Sequence, residues 1–202
     1  MKKILFVLIC LCLLFVGCAH TPIPTILLTN KVTAVSNVNT LHFSFIDARS
    51  EQFKTENYFM LQSVFPIIRV YTWGDPWFDV PLIIAFEKMF LKRFTDNDRG
   101  YQTEIKLTSF YFTYQPHELS AIPFINIFVI AADREYHGVV KMEVAVLDKN
   151  GKYIFTKIYD ADIKEMKSGN KMIYEDGFDM LEKAFMKVTD DLETDLKRIR
   201  FD

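Results

Sequence analysis

An apolar run at the amino terminus constrains this chain more than any other feature. Lys2 and Lys3 give the chain a positive start, residues 4–15 are apolar without a break, and Val-Gly then leads to Cys18. This is the layout of a secretory signal peptide. A helix of about 12 residues is about 18 Å long, which is short for a hydrocarbon core of about 30 Å and disfavours a transmembrane helix. We therefore predict that residues 1–18 are an export signal.

The end of this signal, Phe15-Val16-Gly17-Cys18, resembles a bacterial lipobox, in which the chain is cut before a cysteine that then carries lipid. Phe15 departs from the leucine that is usual at its position. A cleaved signal without lipid is the alternative, but the short spacing and the Gly-Cys step favour lipidation of Cys18. In the best-known Gram-negative sorting rule, aspartate after the cysteine retains a lipoprotein in the inner membrane. Residue 19 is Ala19, which favours the outer membrane. The resemblance implies a cell-envelope protein on the periplasmic side, held to the membrane by its lipid anchor.

Composition limits what the exported part can be. All three cysteines, Cys10, Cys12 and Cys18, lie in the signal, so the remainder has neither an internal disulfide nor a cysteine-based metal site. Cleavage before Cys18 removes 17 of the 202 residues and leaves 185, a length that suits one domain. Without Lys2 and Lys3, 22 basic residues stand against 26 acidic ones, a net charge of −4. With no basic block in the chain, we predict no nucleic-acid partner.

The rest of the chain divides into a tether and a folded domain. Residues 19–40 are predicted to be a tether, with Thr25–Leu28 extended, and residues 41–202 a single α+β periplasmic domain. Alternation of apolar and polar residues indicates strands. These are predicted at residues 41–46, 67–71, 101–114, 139–147 and 153–163. The last two form a hairpin, because Asn150-Gly151 supplies the positive φ angles of a tight primed turn. The sequence pattern of residues 51–63 leaves their secondary structure ambiguous.

Two amphipathic helices complete the domain. In the first, residues 80–94, Asp79 is the expected N-cap and Pro81 lies in the first turn, where its missing N–H does no harm. In the second, residues 173–200, one apolar stripe favours packing on a sheet over a coiled coil or a membrane-surface helix. The order β-β-α-β-β-β-α predicts an α+β fold, an antiparallel sheet with two helices packed on one face.

The sequence contains no recognisable catalytic or metal pattern. The histidines lack metal-binding spacing, and no nucleophile motif, phosphate-binding loop or dinucleotide fingerprint occurs. Asp133–His137 is the densest polar group, which we interpret as a solvated loop before a strand. Residues 96–100 resemble a calcium loop only superficially, because Gly100 occupies the fifth position, where an EF-hand needs a ligand. Asp160 and Asp162 share a strand face without a partner motif. We predict that the protein is not an enzyme and uses no cofactor and no metal.

Residues 121–132 are almost wholly apolar. One interpretation is a buried strand or a loop folded under the sheet. The other is a hydrophobic lip that contacts membrane, lipid or a partner protein, since exposed apolar patches usually mark such sites. The predicted contact residues are Phe124, Ile125, Ile127, Phe128, Val129 and Ile130. The aromatic residues Trp73, Trp77 and Phe78 could join them.

Several short patterns occur in a recognisable order after the lipobox. They are a strand ending in Asp47-Ala48-Arg49, an amphipathic helix, a strand with Ile105-x-Leu107, a hairpin at Asn150-Gly151-Lys152 and a long carboxy-terminal helix. In this order the chain resembles small envelope lipoproteins of the YajG type and the auxiliary lipoproteins of ABC-type transport systems, which are associated with lipid trafficking between membranes. The resemblance covers about residues 41–198, with residues 115–135 as an insertion. It implies periplasmic placement and a binding or accessory role, with no catalytic residues.

Together these features predict a lipid-anchored envelope lipoprotein that acts as a non-enzymatic accessory subunit of a transport or envelope-maintenance assembly. Its partners would be the membrane, through Cys18, and a protein of the cell envelope. One alternative is direct binding of a lipid or other hydrophobic ligand in a pocket between sheet and helices. Another is a structural component of a secretion or motility apparatus.

Overall fold

The computed structural model describes residues 22–30, 32, 41–55, 59–62, 69–97, 101–115, 133–168 and 173–199. The elements are α1 (Ile26–Thr29), β1 (Leu41–Asp47), α2 (Glu51–Thr55), β2 (Phe59–Gln62), β3 (Arg69–Trp73), α3 (Leu82–Arg93), β4 (Tyr101–Gln115), β5 (Arg134–Leu147), β6 (Tyr153–Lys167) and α4 (Ile173–Leu196). A short 3-10 helix, Asp75–Trp77, precedes α3. The ambiguous segment 51–63 thus contains α2 and β2. The predicted lipidation site Cys18 and the predicted contact residues Phe124–Ile130 lie outside the described residues.

The six strands of the described residues form one sheet in the order β2-β3-β4-β5-β6, with β1 also paired to β4. The long strand β4 pairs along one edge with β1 through its first half and with β3 near its end. The α+β class is confirmed. The sheet is mixed and not wholly antiparallel as predicted, because β1 and β4 run parallel. A long connection that includes α3 separates these two strands, and such a crossover permits parallel pairing.

The predicted hairpin of β5 and β6 is confirmed, but its turn is not the tight primed turn expected at Asn150-Gly151. The N–H of Gly151 donates to the carbonyl oxygen of Asp148, so Lys149 and Asn150 are the central residues of the turn, and Gly151 follows them with a φ of 77°. Lacking a Cβ, glycine adopts this conformation without strain. Both strands extend beyond their predicted ends, because they stay paired as far as Arg134 and Lys167. The interpretation of Asp133–His137 as a loop is therefore wrong: all but the first of these residues belong to β5, and Tyr136 is fully buried.

Helices α3 and α4 pack on the same face of the sheet. Phe86 of α3 contacts both Phe110 of β4 and Phe185 of α4, with ring centroids 5.3 and 5.7 Å apart. The backbone of α4 comes close to β5 at Gly138, where a Cβ would lie 2.2 Å from the carbonyl oxygen of Met180. Glycine at this position therefore sets how closely the helix approaches the sheet.

The start of α3 differs from the prediction. The helix begins at Leu82, with Pro81 at the N-cap. Asp79 does not cap it. Instead Asp75, in the preceding 3-10 helix, accepts the N–H of Leu82 at 2.9 Å. This arrangement depends on how the 3-10 helix folds back toward α3, which spacing along the sequence does not reveal.

Part of the predicted tether is folded onto the domain. The prediction of an extended Thr25–Leu28 is wrong, because α1 is helical from Ile26 onward. Three aliphatic residues of this segment are buried in the main core: Ile23, Leu28 and Val32. Asp79 Oδ1 accepts both the N–H and the hydroxyl of Thr25 at 2.9 Å. The segment contacts both α3 and α4 and adds a further layer on the helical side of the domain.

Candidate functional site

One face of the sheet is covered by neither α3 nor α4 and is termed the open face. Along β4, β5 and β6, side chains that enter the core alternate with side chains that point to this face. Opposite charges pair across the strands: Lys106 lies 3.5 Å from Glu143, and Lys141 lies 3.8 Å from Asp160. Exposed pairs of this kind contribute about 0.2–1 kcal/mol each, so the open face adds little to the stability of the domain.

A shallow depression of about 320 Å³ lies at the hairpin end of the open face. It is lined by Ile46, Glu104, Lys106, Glu143, Ala145, Tyr153 and Thr156. Ile46 and Tyr153 are 47% and 60% exposed, and Ile158, the register partner of Glu143, is 59% exposed. Apolar and aromatic side chains bordered by polar groups are the usual composition of a protein–protein interface. The depression together with Ile158 is termed the partner surface.

The other end of the open face is covered by α2. Phe53 of α2 stacks on Tyr111 of β4, with ring centroids 4.3 Å apart and an interplanar angle of 12°. Burial raises the pKa of Tyr111, and the carboxylates of Asp162 and Asp160 raise it further. The phenol is therefore neutral over the whole physiological range and serves as a packing group. The hairpin end remains the accessible part of the face.

A polar group identified in the sequence also lies on the open face. His137 Nε2 is 2.5 Å from Glu135 Oε1, and His137 Nδ1 is 3.6 Å from Asp162 Oδ1. Asp160 and Asp162 share this face, as predicted. Within the described ranges, no three histidine, aspartate, glutamate or cysteine side chains converge as a metal site would require.

A buried network of ion pairs lies where β1 ends. The Arg49 side chain is wholly buried, with Nε 2.9 Å from Asp47 Oδ1 and Nη1 2.8 Å from Asp75 Oδ1. Its Nη2 donates to the second oxygen of each carboxylate, at 2.9 Å in both cases. Both pairs are therefore bidentate, the strongest geometry for arginine and carboxylate. Because Asp75 also accepts the N–H of Leu82, the network joins β1 to the start of α3.

The charges of this network support one another. Burial alone would raise the pKa of Asp47, but its hydrogen bonds and charge interaction with Arg49 outweigh burial and lower that pKa. Burial alone would likewise lower the pKa of Arg49, and the two carboxylates raise it. The guanidinium of Arg49 is thus paired with both carboxylates of the network, Asp47 and Asp75. The Asp47-Ala48-Arg49 pattern seen in the sequence is thus a structural joint between elements.

The ends of the strands that flank the apolar segment 121–132 are described, although the segment is not. Gln115 of β4 pairs with Glu135 of β5, and the rings of Tyr114 and Tyr136 stack 6.0 Å apart just beside them. This end of the sheet lies opposite the hairpin at Asn150-Gly151. The described ends of β4 and β5 that flank the segment therefore lie remote from the partner surface.

The aromatic residues expected to join that segment belong mainly to the fold. Phe78 is buried and packs on Phe112 and Phe178, with centroids 6.4 and 5.7 Å apart. Trp73 and Trp77 contact each other at 4.7 Å and are partly buried against the same core. The hypothesis that Phe78 is part of an exposed lip is wrong, because its ring fills the space between β4 and α4.

Aromatic rings also fill the space between the sheet and the helices. Phe90 of α3 lies 5.1 Å from Phe43 and 5.5 Å from Phe45, both on β1. It lies 4.7 Å from Phe94. These distances are those of direct ring contact. The region where a hydrophobic ligand was expected to bind is occupied here by the protein's own side chains.

Sequence reasoning does not single out the partner surface, although a signal for it exists. Ile158 lies between Thr156 and Asp160 on the polar phase of β6, where alternation would place a hydrophilic residue. Ile46 likewise breaks the polar phase of β1. One exposed apolar residue is ordinary, but several that lie together on the solvent-facing side of neighbouring strands indicate a contact surface.

In the part of the chain that the structure describes, no helix has both the length and the apolar character needed to span a membrane. No protein-family model and no curated protein matches this chain. A solved structure described as "Crystal structure of uncharacterized protein" is similar to it with a TM-score of 0.40 and 10% identity, over 82% of this chain and 99% of the other.

Proposed function

We propose that this protein is a lipid-anchored envelope lipoprotein, attached through Cys18, that serves as a non-enzymatic accessory subunit of a transport or envelope-maintenance assembly. The observation that carries the binding role is the partner surface. There Ile46, Tyr153 and Ile158 are exposed around an ion pair, at the end of the open face that no helix of the described residues covers. Exposed apolar groups that cluster within a polar border often mark a site where another molecule binds.

The lipid anchor is supported by the sequence of the signal and by its fit to such a role. Each buried methylene contributes about 0.8 kcal/mol to membrane binding, so the several acyl chains of a bacterial lipoprotein give a permanent attachment. Confinement to one membrane raises the effective concentration of a partner in the same envelope. A small surface such as this one can then be sufficient. The absence of aspartate at position 19 favours the outer membrane as the site of attachment.

The charges on the partner surface would select the partner. Glu104, Lys106 and Glu143 lie within or beside the depression, and their signs alternate across the strands. A matching pattern on another protein would fix the register of docking, whereas like charges would be rejected. The apolar residues Phe124–Ile130 remain a second proposed contact, with membrane, lipid or a partner.

Direct binding of a lipid or another hydrophobic ligand is the alternative that the sequence leaves open. It would need space between the sheet and the helices. There Phe86 contacts Phe110 and Phe185, so that a ligand would have to displace well-packed rings. The accessory role requires no such rearrangement, and we favour it for this reason.

Co-purification from membranes tests the proposal. The full chain is expressed in a Gram-negative host, solubilised in mild detergent and captured, and bound proteins are identified by mass spectrometry. Ile158→Asp places a charge in the partner surface. Met166→Asp is the matched control, because Met166 lies on the same strand with a similar exposure, 61% against 59% for Ile158. Cys18→Ala tests the anchor.

We expect envelope transport subunits to be recovered with the wild type and with Met166→Asp, and to be lost with Ile158→Asp. Cys18→Ala should move the protein from the membrane to the soluble fraction. Equal recovery with both β6 variants would contradict the partner surface. Recovery of stoichiometric lipid without any protein would support a carrier instead, and membrane association unchanged by Cys18→Ala would contradict the anchor.

A further inference from the structure

We propose that α1 and the outer side of α3 lie directly against the membrane that carries the lipid anchor. This inference rests on the lipidation of Cys18 proposed above and adds an orientation to it. The surface concerned, termed the membrane face, consists of Ile26, Leu27, Ile84, Lys88, Leu91 and Lys92. All six side chains are exposed.

The membrane face is rigidly connected to the chain that leads to the anchor. Asp79, three residues before α3, accepts two hydrogen bonds from Thr25 at 2.9 Å. At the other end of α3, Lys92 Nζ donates to the carbonyl oxygens of Thr29 and Asn30 at 3.2 Å. Because Leu28 is also fully buried, α1 is fixed along α3 and is not part of a free leash.

The segment that connects Cys18 to the folded part of the chain is short. Three residues separate Cys18 from Pro22, the first described residue. Four steps of the chain span at most about 14 Å even when fully extended. The acylated residue at the membrane surface therefore holds the neighbourhood of α1 within that distance, and the 58% exposed side chain of Ile26 lies only four residues farther along.

The chemistry of this face suits a phospholipid surface. Ile84, Lys88, Leu91 and Lys92 form a single outward stripe of α3, since Lys88 lies four residues after Ile84, and Leu91 and Lys92 lie three and four residues after Lys88. Lysines beside apolar residues can bury their methylenes while the ammonium groups stay among phosphates. The carboxylate within α3, Glu87, borders this stripe, because it lies three residues after Ile84 and four before Leu91. It is half-buried, and burial raises its pKa, which favours its neutral form beside an anionic surface.

The outer surface of α4 is more acidic than that of α3, which indicates which of the two helices lies on the membrane. It is lined by Asp179, Glu182, Lys183, Met186, Lys187, Asp190 and Asp191, with four acidic groups against two basic ones. An anionic phospholipid surface would repel such a set of charges. Of the two helices on this side of the domain, α3 is therefore the one suited to lie on the membrane.

Depth-dependent fluorescence quenching tests the orientation. The mature lipoprotein is purified after processing in a Gram-negative host and placed in vesicles of phosphatidylethanolamine and phosphatidylglycerol. Since all native cysteines lie at or before Cys18, a single introduced cysteine is the one free thiol. Ile26→Cys and Leu91→Cys report the two ends of the membrane face. Ile158→Cys, 59% exposed on the open face, is the matched control.

We expect a fluorophore at residue 26 or 91 to be quenched severalfold more by spin-labelled phospholipid than the same fluorophore at residue 158. Quenching at residue 26 alone, with residue 91 no different from 158, would overturn the proposal, because α3 would then extend away from the membrane instead of lying along it. Equal quenching at all three positions would also overturn it. The mass of the mature protein separates the two proposals: an unacylated protein refutes the anchor as well, whereas an acylated one with equal quenching refutes the membrane face alone.

Discussion

Replacing Arg49 by methionine would show how much the buried ion-pair network contributes to the fold. Methionine keeps an unbranched chain of similar length, so the loss is mainly that of the guanidinium. Asp47 and Asp75 would then lie near each other without a cation, although their side chains are only 24% and 11% exposed. Asp75 would still accept the N–H of Leu82, which holds its carboxylate in place at the start of α3.

The expected cost follows from that burial. Removing one partner of a buried ion pair destabilises a protein by about 3–5 kcal/mol, because the other charge stays desolvated. Since Asp47 retains some contact with solvent, we expect a loss near the lower limit, about 3 kcal/mol. For a domain of this size, each kcal/mol lowers the unfolding midpoint by about 2–4 °C, so the midpoint should fall by roughly 6–12 °C.

The effect should depend on pH with a definite sign. In the wild type the folded-state pKa of Asp47 is lowered, mainly because hydrogen bonds from Arg49 overcome the effect of burial. Its stabilising contribution is present above the unfolded pKa of about 3.9 and is lost as the pH falls through the folded value. Without Arg49, burial would raise the pKa of Asp47. Protonation of Asp47 would then remove the unpaired buried charge and reduce the destabilisation of the variant. The difference between wild type and Arg49→Met should therefore narrow below about pH 5.

Urea unfolding followed by tryptophan fluorescence is a suitable assay, because both tryptophans, Trp73 and Trp77, lie beside Asp75. Lys106→Met is the matched control. It removes a cation from an exposed pair with Glu143, which should cost less than about 1 kcal/mol. If Arg49→Met costs no more than this control, or if its cost is the same at pH 7 and pH 4, the network is not the joint that we infer.

Two further variants test close packing and the attachment of the amino-terminal segment. Gly138→Ala should destabilise the protein by about 3 kcal/mol, because the added Cβ would meet the backbone of Met180. Gly151→Ala, the comparison, should cost about 1–2 kcal/mol because of the positive φ at that residue. Chemical denaturation that gives the reverse order would contradict the close approach of α4. Asp79→Ala removes two hydrogen bonds to Thr25 and should weaken docking of α1 by about 1 kcal/mol, so that amides of α1 exchange with solvent about fivefold faster; unchanged exchange would show that apolar contacts alone hold the segment.

Local pattern was sufficient for much of the fold. The turn at Asp148–Gly151 and the alternation on either side of it specify the hairpin, because the turn and the buried face require the same register. The apolar stripe of α4 predicted a helix against a sheet. The extension of β5 to Arg134 was missed, since charged residues on the solvent face hide the alternation around the buried Tyr136.

Contacts between distant segments account for what could not be predicted. Arg49 and Asp75 are 26 residues apart, and their pairing depends on how the 3-10 helix returns to the end of β1. The parallel pairing of β1 with β4 depends in the same way on a long crossover. Ile23, Leu28 and Val32 are five and four residues apart, a pattern too short to indicate a buried helix or strand, so their burial could not be read from the sequence.

The folded amino-terminal segment changes what a lipid anchor can do for this protein. A free tether over residues 19–40 would reach roughly 75 Å and would leave the domain free to take any orientation. In the orientation that we propose, α1 is fixed to α3, the reach falls to that of the residues before Pro22, and the membrane face is turned toward the lipid. The partner surface, with Ile158 on the opposite side of the sheet, then points away from the membrane. The thickness of one helix layer and of the sheet places the partner surface about 20 Å above the membrane surface. An accessory subunit built in this way would meet the part of an envelope assembly that projects above the bilayer, rather than the part buried in it.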